Sequence, residues 1–380
     1  MTYPTMLPKL SFIIPTKDRL DLLTQTLESV LAQSNSRWEA IVVDDGSRDG
    51  TWPYLQAAAR EDDRIRPMRR RGPAGGACVS RNQGAAAAAS ELLVFLDSDD
   101  LMEPFAVADR LAAAEQSPAD LIITQGRCFE RQPDDLSTLW NGPTDQTPAD
   151  DLDRCLSRDV PWQTTGATWR REAFKQILWD ENAPSGQDMD LHVRALLAGL
   201  TTHRTSTYDF HWRIGQSNRK SIGTASVTPR HIAYRCVLLE RFATLMRRGG
   251  QWNERRRDIL AGQWWLAVKM LRERGPLRPA TRLWDRGRHL GLYGKSHWLL
   301  GTAWLMSFGR RQLREPIGRL IQRRWPAVLR GENVSTLTTF SVPRAWEIRC
   351  WERRREVCGG DATFSDATSS ATKRPKSGSG

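Results

Sequence analysis

Leu92-Leu93-Val94-Phe95-Leu96-Asp97-Ser98-Asp99-Asp100 is a short apolar run that breaks into acid. A second run, Ile41-Val42-Val43-Asp44-Asp45-Gly46-Ser47, ends the same way. Runs this short and this apolar read as strands buried on both faces. Each would deliver its carboxylates to the C-terminal edge of a strand, where open α/β sheets bind ligands. Spacing of two along extended backbone puts Asp97 and Asp99 on one side of the chain. Carboxylates crowded there repel one another unless a cation or ligand donors offset them, and hard divalent cations take oxygen ligands. A divalent-metal, nucleotide-type site is therefore the first expectation.

Around these two runs the pattern alternates. Leu10 to Pro15 is a β-rich stretch stopped by proline. Asp18 is placed as the N-cap of a helix marked by Leu20, Leu23, Leu27, Val30 and Leu31 at helical spacing. Further strands are expected at 38–43, 64–68, 91–96 and 121–124, and helices at 49–60, 77–89 and 104–116. Strands alternating with helices at this spacing predict a doubly wound, mainly parallel sheet flanked by helices. From 127 to 159 the sequence turns polar and rich in Pro and Asp, which predicts an excursion over the surface. A helix is expected over 188–200 and a closing strand over 201–212.

From Thr228 onward the periodicity is helical, with segments at 232–247, 253–273, 277–290 and 296–323. Between Arg241 and Arg355 there are 24 Arg and 2 Lys against 8 acidic residues, a net +18 that exceeds the +12 of the whole chain. The expected division is a catalytic domain over 1–227, an Arg/Trp-rich helical region over 228–356 and a disordered tail over 357–380. No apolar run reaches the roughly 18 to 20 residues of a spanning helix, and no secretory leader is visible. The six cysteines lack CxxC or zinc spacing, which fits a reduced compartment.

Several motifs carry chemistry. Two carboxylates at 44–45, where one would cap a helix, suggest that one faces a ligand such as a nucleobase N–H or ribose hydroxyls. Arg69-Arg70-Arg71, followed by Gly72 to Gly76 and a helix start, offers donors to phosphate, because helix N-terminal N–H groups favour anions. Arg81-Asn82 lies one turn inside that helix.

The joint pattern is more specific than its parts. Ser11-Phe12-Ile13-Ile14-Pro15-Thr16-Lys17-Asp18-Arg19, the run from Asp44 to Thr51, Ser80 to Gly84, and Phe95 to Asp100 occur in an order and spacing that resembles family-2 glycosyltransferases of the GT-A fold. Ser185 to Arg194 resembles the acceptor-side motif of that family. The resemblance covers about residues 9 to 215. It implies that Pro15, Thr16 and Arg19 line the nucleotide pocket and that Asp45 contacts the base. Gly76 at the helix start and Arg81, placed near the acidic clusters, join the candidate cofactor-binding residues on the phosphate-donor reading above, and the resemblance puts Asp97 near ribose and metal. Asp99, with Asp97, would bind the Mn²⁺ or Mg²⁺ cofactor, and Asp188 would be the general base. The family usually has Glu-Asp at 187–188, whereas this chain has Gln187-Asp188. In resembling proteins a His or Arg near 211–213 approaches the metal or diphosphate, although a lone His beside Trp212 is more often structural and ranks below the aspartates.

The implied activity is inverting transfer from a nucleotide-diphospho-sugar to a saccharide, lipid-linked or other hydroxyl acceptor in surface polysaccharide or glycan synthesis. The expected location is the cytoplasm, with the basic helices resting on the anionic inner face of the membrane. Two alternatives remain. A sugar nucleotidyltransferase would need a glycine-rich basic loop after the first strand, and Pro15 to Arg19 has no glycine. A non-enzymatic scaffold could use residues 241–355 to bind anionic membrane or, ranked well behind, nucleic acid. The bland alternative for that region is that Trp forms its core and Arg its surface.

Overall fold

The computed structural model describes residues 8–72, 75–140, 151–214, 228–307, 311–324 and 339–358. Its first part alternates as expected: β1 (Leu10–Thr16), α1 (Leu20–Leu31), β2 (Trp38–Asp44), α2 (Thr51–Glu61), β3 (Ile65–Arg69), α3 (Ala77–Ala87) and β4 (Leu92–Phe95). β3, β2, β1 and β4 lie side by side and parallel. Residues 10, 12 and 14 of β1 pack with Leu23, Leu27 and Val30 of α1 on one face, while Ile13, Ile41 and Val43 pack with Cys78 and Ala85 of α3 on the other. Both faces are covered, which is why these strands read as unbroken apolar runs. The β1–β2 register ends at Thr16↔Asp44. Both acidic loops therefore leave the sheet at one edge.

Beyond β4 the sheet becomes mixed. β8 (Ala167–Arg170) runs antiparallel between β4 and β6 (Leu121–Phe129). β9 (Thr202–Arg213) is parallel to β6 and antiparallel to β5 (Leu101–Met102). α4 (Ala106–Gln116), α6 (Arg171–Ile177) and α7 (Gln187–Leu197) complete this part. Only glycine fits at 84, where a Cβ would lie 2.5 Å from the Ile13 side chain and 3.2 Å from Val43. That absence of side chain lets α3 sit close on β1 and β2 and fixes the height of Arg81, three residues earlier.

Two expectations are corrected. Asp18 does not cap α1: its backbone sits at φ 49°, and the Leu20 N–H is instead taken by Asp49 Oδ2 at 2.9 Å. Nor is 127–159 a surface excursion throughout. Residues 127–129 are buried in β6, β7 (Thr138–Trp140) pairs with β6, and α5 (Asp151–Leu156) buries Leu152, Cys155 and Leu156. The polar pattern misleads because Arg127 turns inward and pairs with Asp134 at 2.8 Å. Residues 141–150 lie outside the described residues.

The helices that follow are α8 (Pro229–Arg248), α9 (Glu254–Arg274), α10 (Leu277–His289), α11 (Lys295–Met306) and α12 (Arg311–Arg324). Trp264, Trp265, Trp284 and Trp304 are buried among them. Trp265 meets Trp284 and Trp304 edge-on, with ring centroids 5.3 and 5.0 Å apart, and Trp284 stacks on Tyr293 at 4.0 Å. These tryptophans are core. Two other, half-buried tryptophans carry arginine on their faces: Arg247 lies 4.0 Å over Trp252, and Arg288 lies 4.7 Å over Trp298. Among the described residues no helix is long and apolar enough to cross a membrane. Residues 339–358 of this region return to the sheet: β10 (Thr339–Ser341) pairs with β7, and α13 (Arg344–Cys358) packs on β9. Most of the tail expected to be disordered lies outside the described residues.

Arg110 and Asp209 are fully buried and joined by two bonds of 2.6 and 2.8 Å, and Arg110 also donates to Thr124 Oγ1 and the Thr165 carbonyl. Removing one member of such a pair strands the other charge in the interior. Arg110→Leu should therefore cost about 3–5 kcal/mol, read as a fall in denaturation midpoint. A variant as stable as the parent would contradict this role for the pair.

Candidate functional site

Four loops meet at the edge where β1, β2 and β4 end. The β1 and β2 loops are laced together: the Asp18 N–H donates to Ser47 Oγ at 2.9 Å, and the Arg48 N–H donates to Asp18 Oδ1 at 2.7 Å. The Asp45 N–H donates to the Thr16 carbonyl at 2.9 Å. Pro15 and Thr16 close this side, and the buried Thr16 Oγ1 has no partner among the described residues. Asp45 is buried and held by the α3 entry, where the Gly76 N–H donates to its Oδ2 at 3.0 Å. Arg70 pairs with its Oδ1, and Lys17 Nζ lies 3.6 Å from Oδ2. A Cβ at Gly75 would crowd the same carboxylate at 3.2 Å, and Gly76 sits at φ 112°, where a side chain is strained. Asp44 turns back to its own loop and accepts the Ser47 N–H at 2.8 Å.

The β4 loop presents Asp97 and Asp99 partly exposed and buries Asp100. Arg19 Nη1 lies 2.7 Å from Asp99 Oδ2, and Arg213 Nε donates to the Asp99 carbonyl at 3.0 Å. Burial and the charge of Asp97 push the Asp99 carboxyl up, against the pull of Arg19 and Arg213. Asp100 is pushed well up by burial and by its two acidic neighbours, while Thr165 Oγ1 donates to its Oδ2 at 2.8 Å. Crowding of this kind is what a cation relieves.

Arg81 connects the β4 loop to the start of α7. Nearly buried, it lies 2.6 Å from Asp97 Oδ1 through Nη2 and donates to Gln187 Oε1 through Nη1 at 3.2 Å. Its guanidinium rests 4.5 Å over the Trp179 ring. Asn82 clamps that tryptophan, donating to its carbonyl at 2.9 Å and accepting its N–H at 3.0 Å. The charges of both Asp97 and Asp188 bear on Arg81. Asp188 stands in the first turn of α7, after Gly186 at φ 63°, and accepts the Met189 N–H at 2.8 Å. Burial raises its carboxyl above the usual range, although hydrogen bonds and Arg81 oppose the rise. A carboxylate raised in this way is a stronger base than a free one.

Sequence reasoning did not anticipate the Trp179 platform or the grip of Arg70 and Lys17 on Asp45. The pairing Arg81-Asn82 was the available signal, since adjacent helix positions point apart and can serve different partners. His211 is structural. It is buried and bonded through Nε2 to Glu103 Oε1 at 2.7 Å, not directed at the acidic loop. Burial would push Glu103 up, but His211 and Arg354 of α13 hold it down to about 2. Arg213, not His211, reaches the loop.

Among the described residues no three carboxylates, imidazoles or thiols gather into a metal cage. Asp97 and Asp99 still fit a hard divalent cation. They are partly open carboxylates two residues apart, and such an ion commonly takes only one or two protein carboxylates beside phosphate and water.

The model of the family described as glycosyl transferase family 2 matches residues 11–178. The chain is 32% identical over 136 residues to the GalNAc(5)-diNAcBac-PP-undecaprenol β-1,3-glucosyltransferase of Campylobacter jejuni, covering 36% of this chain and 43% of that protein. It is 27% identical over 225 residues to the succinoglycan biosynthesis protein ExoO of Rhizobium meliloti, covering 56% of this chain and 63% of that protein. The chain thus spans less than two thirds of the length of these curated relatives. The crystal structure of S. aureus TarS 1–349 in complex with UDP-GlcNAc aligns with a TM-score of 0.56 at 18% identity, over 84% of this chain and 91% of that one. At that identity the likeness is one of fold.

Proposed function

Because residues 11–178 belong to glycosyltransferase family 2, we propose that the chain moves a sugar from a nucleotide-diphospho-sugar to an acceptor hydroxyl with inversion, in the synthesis of a surface polysaccharide or glycan. The observation that carries the reading is Arg81, which ties Asp97 on the donor side to Gln187, the neighbour of Asp188. Pro15, Thr16, Arg19 and Asp45 would hold the nucleoside, with Arg70 moving off Asp45 as the base arrives. Gly76 and Arg81 would face the diphosphate. Asp97 and Asp99 would hold Mn²⁺ or Mg²⁺, which when bound offsets charge on the leaving phosphate.

The chain's own groups supply the rest. Asp188 takes the proton of the acceptor hydroxyl as its oxygen bonds to the anomeric carbon. The bond from that carbon to the phosphate oxygen breaks, and its electron pair leaves with the nucleoside diphosphate. One base and no covalent nucleophile imply attack from the opposite face. Gln187 being neutral, position 187 adds no further acid to Asp97 and Asp188, whose charges already bear on Arg81. Residence at the inner membrane face belongs to this proposal. Exposed Leu299 and Met306 on α11, beside exposed arginines of α10, support it.

The test is a panel of UDP-, GDP- and dTDP-sugars with Mg²⁺ or Mn²⁺, read by thermal shift and by release of nucleoside diphosphate, with anionic vesicles present or absent. One nucleotide class should stabilise the protein and be turned over slowly to water. No stabilisation by any member would remove the donor site.

A further inference from the structure

α13 ties the last described stretch of the chain to the loop that carries the acids. It lies along β9, where Arg349 Nη2 donates to the Ser206 carbonyl at 2.6 Å and the Cys350 thiol to the Tyr208 carbonyl at 3.3 Å. Trp346 and Cys350 share a small core with Phe105 and Tyr208. One turn further, Arg354 reaches Glu103. Its Nε donates to Glu103 Oε2 at 2.8 Å, its Nη2 meets Oε1, and its Nη1 donates to Asp134 Oδ2 at 2.8 Å. Asp134 has Arg127 as a second partner. Glu103 is 2% exposed, and its ion-pair partners among the described residues are Arg354 and His211.

Glu103 follows Asp100 by three positions, at the point where the acid loop is moored. β5 is a short strand, with Leu101 and Met102 opposite His211 and Phe210 of β9. The Glu103 N–H extends that ladder to the Asp209 carbonyl at 2.9 Å. Residues 211 and 213 face the same side of β9, and each holds part of the loop. His211 takes the Glu103 side chain. The Arg213 N–H donates to Asp100 Oδ1 at 3.3 Å, and its Nε donates to the Asp99 carbonyl at 3.0 Å. Phe129 packs against both, edge-on to His211 at 6.1 Å and 4.3 Å under the Arg213 guanidinium. Without Arg354, the buried Glu103 carboxylate would keep His211 alone. A stranded buried charge is costly, and it is relieved when the side chain swings to water or takes a proton. Either change weakens a charge-assisted bond that fixes the loop to β9.

We propose that Arg354 is a positioning residue for the cation site: from α13 it fixes Glu103 against His211, and so holds the loop of Asp97 and Asp99 in the form that takes a divalent cation with the nucleoside diphosphate. The proposal rests on the reading of Asp97 and Asp99 as the metal-holding pair. It extends the working site to a helix outside residues 11–178, which the family model matches. Arg353, the preceding residue, points elsewhere and pairs with Asp109 of α4 and with Glu356. The two arginines therefore separate docking of the helix from control of the loop.

The experiment measures by calorimetry how tightly the full chain binds the nucleoside diphosphate that the panel selects, once in EDTA and once in excess Mn²⁺. Mn²⁺ should tighten binding to the parent. Arg354→Gln should shrink that gain by about three- to thirtyfold, the span expected for a residue that touches neither ligand, while affinity in EDTA stays within about twofold. Glu103→Gln combined with Arg354→Gln removes both buried charges, so the double variant folds even where the single change strands an acid. It should lose the gain to the same extent, because the tie is missing in both. Arg353→Gln, which loosens α13 without touching the loop, should keep the full gain. Thermal denaturation checks that each variant is folded. An undiminished gain in the folded single or double variant would overturn the proposal. An equal loss in Arg353→Gln would assign the effect to docking of α13 as a whole and overturn it too. A parent that gains nothing from Mn²⁺ would remove the metal reading itself, and the inference with it, a result visible before any variant is made.

Discussion

Asp188→Asn lowers sugar transfer by about 10²–10⁴-fold, the usual contribution of a positioned general base, while nucleotide affinity and folding are retained. Asparagine keeps the shape and the Oδ1 that accepts the Met189 N–H, so the helix start is not disturbed. What it lacks is basicity. The acceptor proton leaves as the new bond forms, so the loss should fall on kcat. The pH profile supplies an independent check. A base works only when deprotonated, and burial raises the Asp188 carboxyl. Activity is therefore lost as pH falls through that raised value, so the acid limb lies above the range of a free aspartate. In the Asn variant this limb disappears from the residual rate. Transfer at the parental rate, or an unchanged acid limb, would show that another group is the base.

Asp99→Ala should lower turnover by roughly 10²–10⁴-fold, since a metal-holding group supports several kcal/mol of charge stabilisation and each 1.36 kcal/mol is tenfold. The loss has a distinguishing sign. Chelation should bring the parent close to the variant, and added Mg²⁺ or Mn²⁺ should help the variant little. Arg19, released from its 2.7 Å pair with Asp99, would remain beside the nucleotide, so metal-free nucleotide binding should survive or strengthen. Asp97→Asn makes a milder version of the same test, because its partner Arg81 is also held by Gln187 and Trp179. Equal metal response in parent and Asp99→Ala would remove Asp99 from the metal site.

The fold was legible where burial leaves a periodic trace. The runs 41–43 and 92–96 are apolar throughout because helices cover both faces of β2 and β4, and the acids after them mark the edge where the sheet ends. Local sequence was less informative where distant partners decide. Asp18 looks like a cap, yet Asp49 from the neighbouring loop takes the bond to Leu20. Residues 127–140 look like loop, because the polar groups there face partners brought from α13: Arg354 reaches both Asp134 and Glu103. The Arg/Trp pattern of the C-terminal half could not by itself separate a membrane face from a core. The ring contacts put Trp265, Trp284 and Trp304 in a core, meeting edge-on, and leave a membrane face to the exposed residues alone. Arg81 and Asp188 were named from motif, but their connection through Gln187 depends on α3 and α7 meeting across more than a hundred residues.

In the proposed site, acidic side chains from separate loops share one donor–acceptor cleft. A crystal structure of the full chain with Mn²⁺ and the nucleoside diphosphate it prefers tests this most directly. The base should lie at Asp45, the metal at Asp97 and Asp99, and the diphosphate between Arg81 and Arg19, with Asp188 facing it across the space for a sugar. A nucleotide bound away from these groups, or an Asp188 carboxylate that opens onto a different cavity, would contradict it.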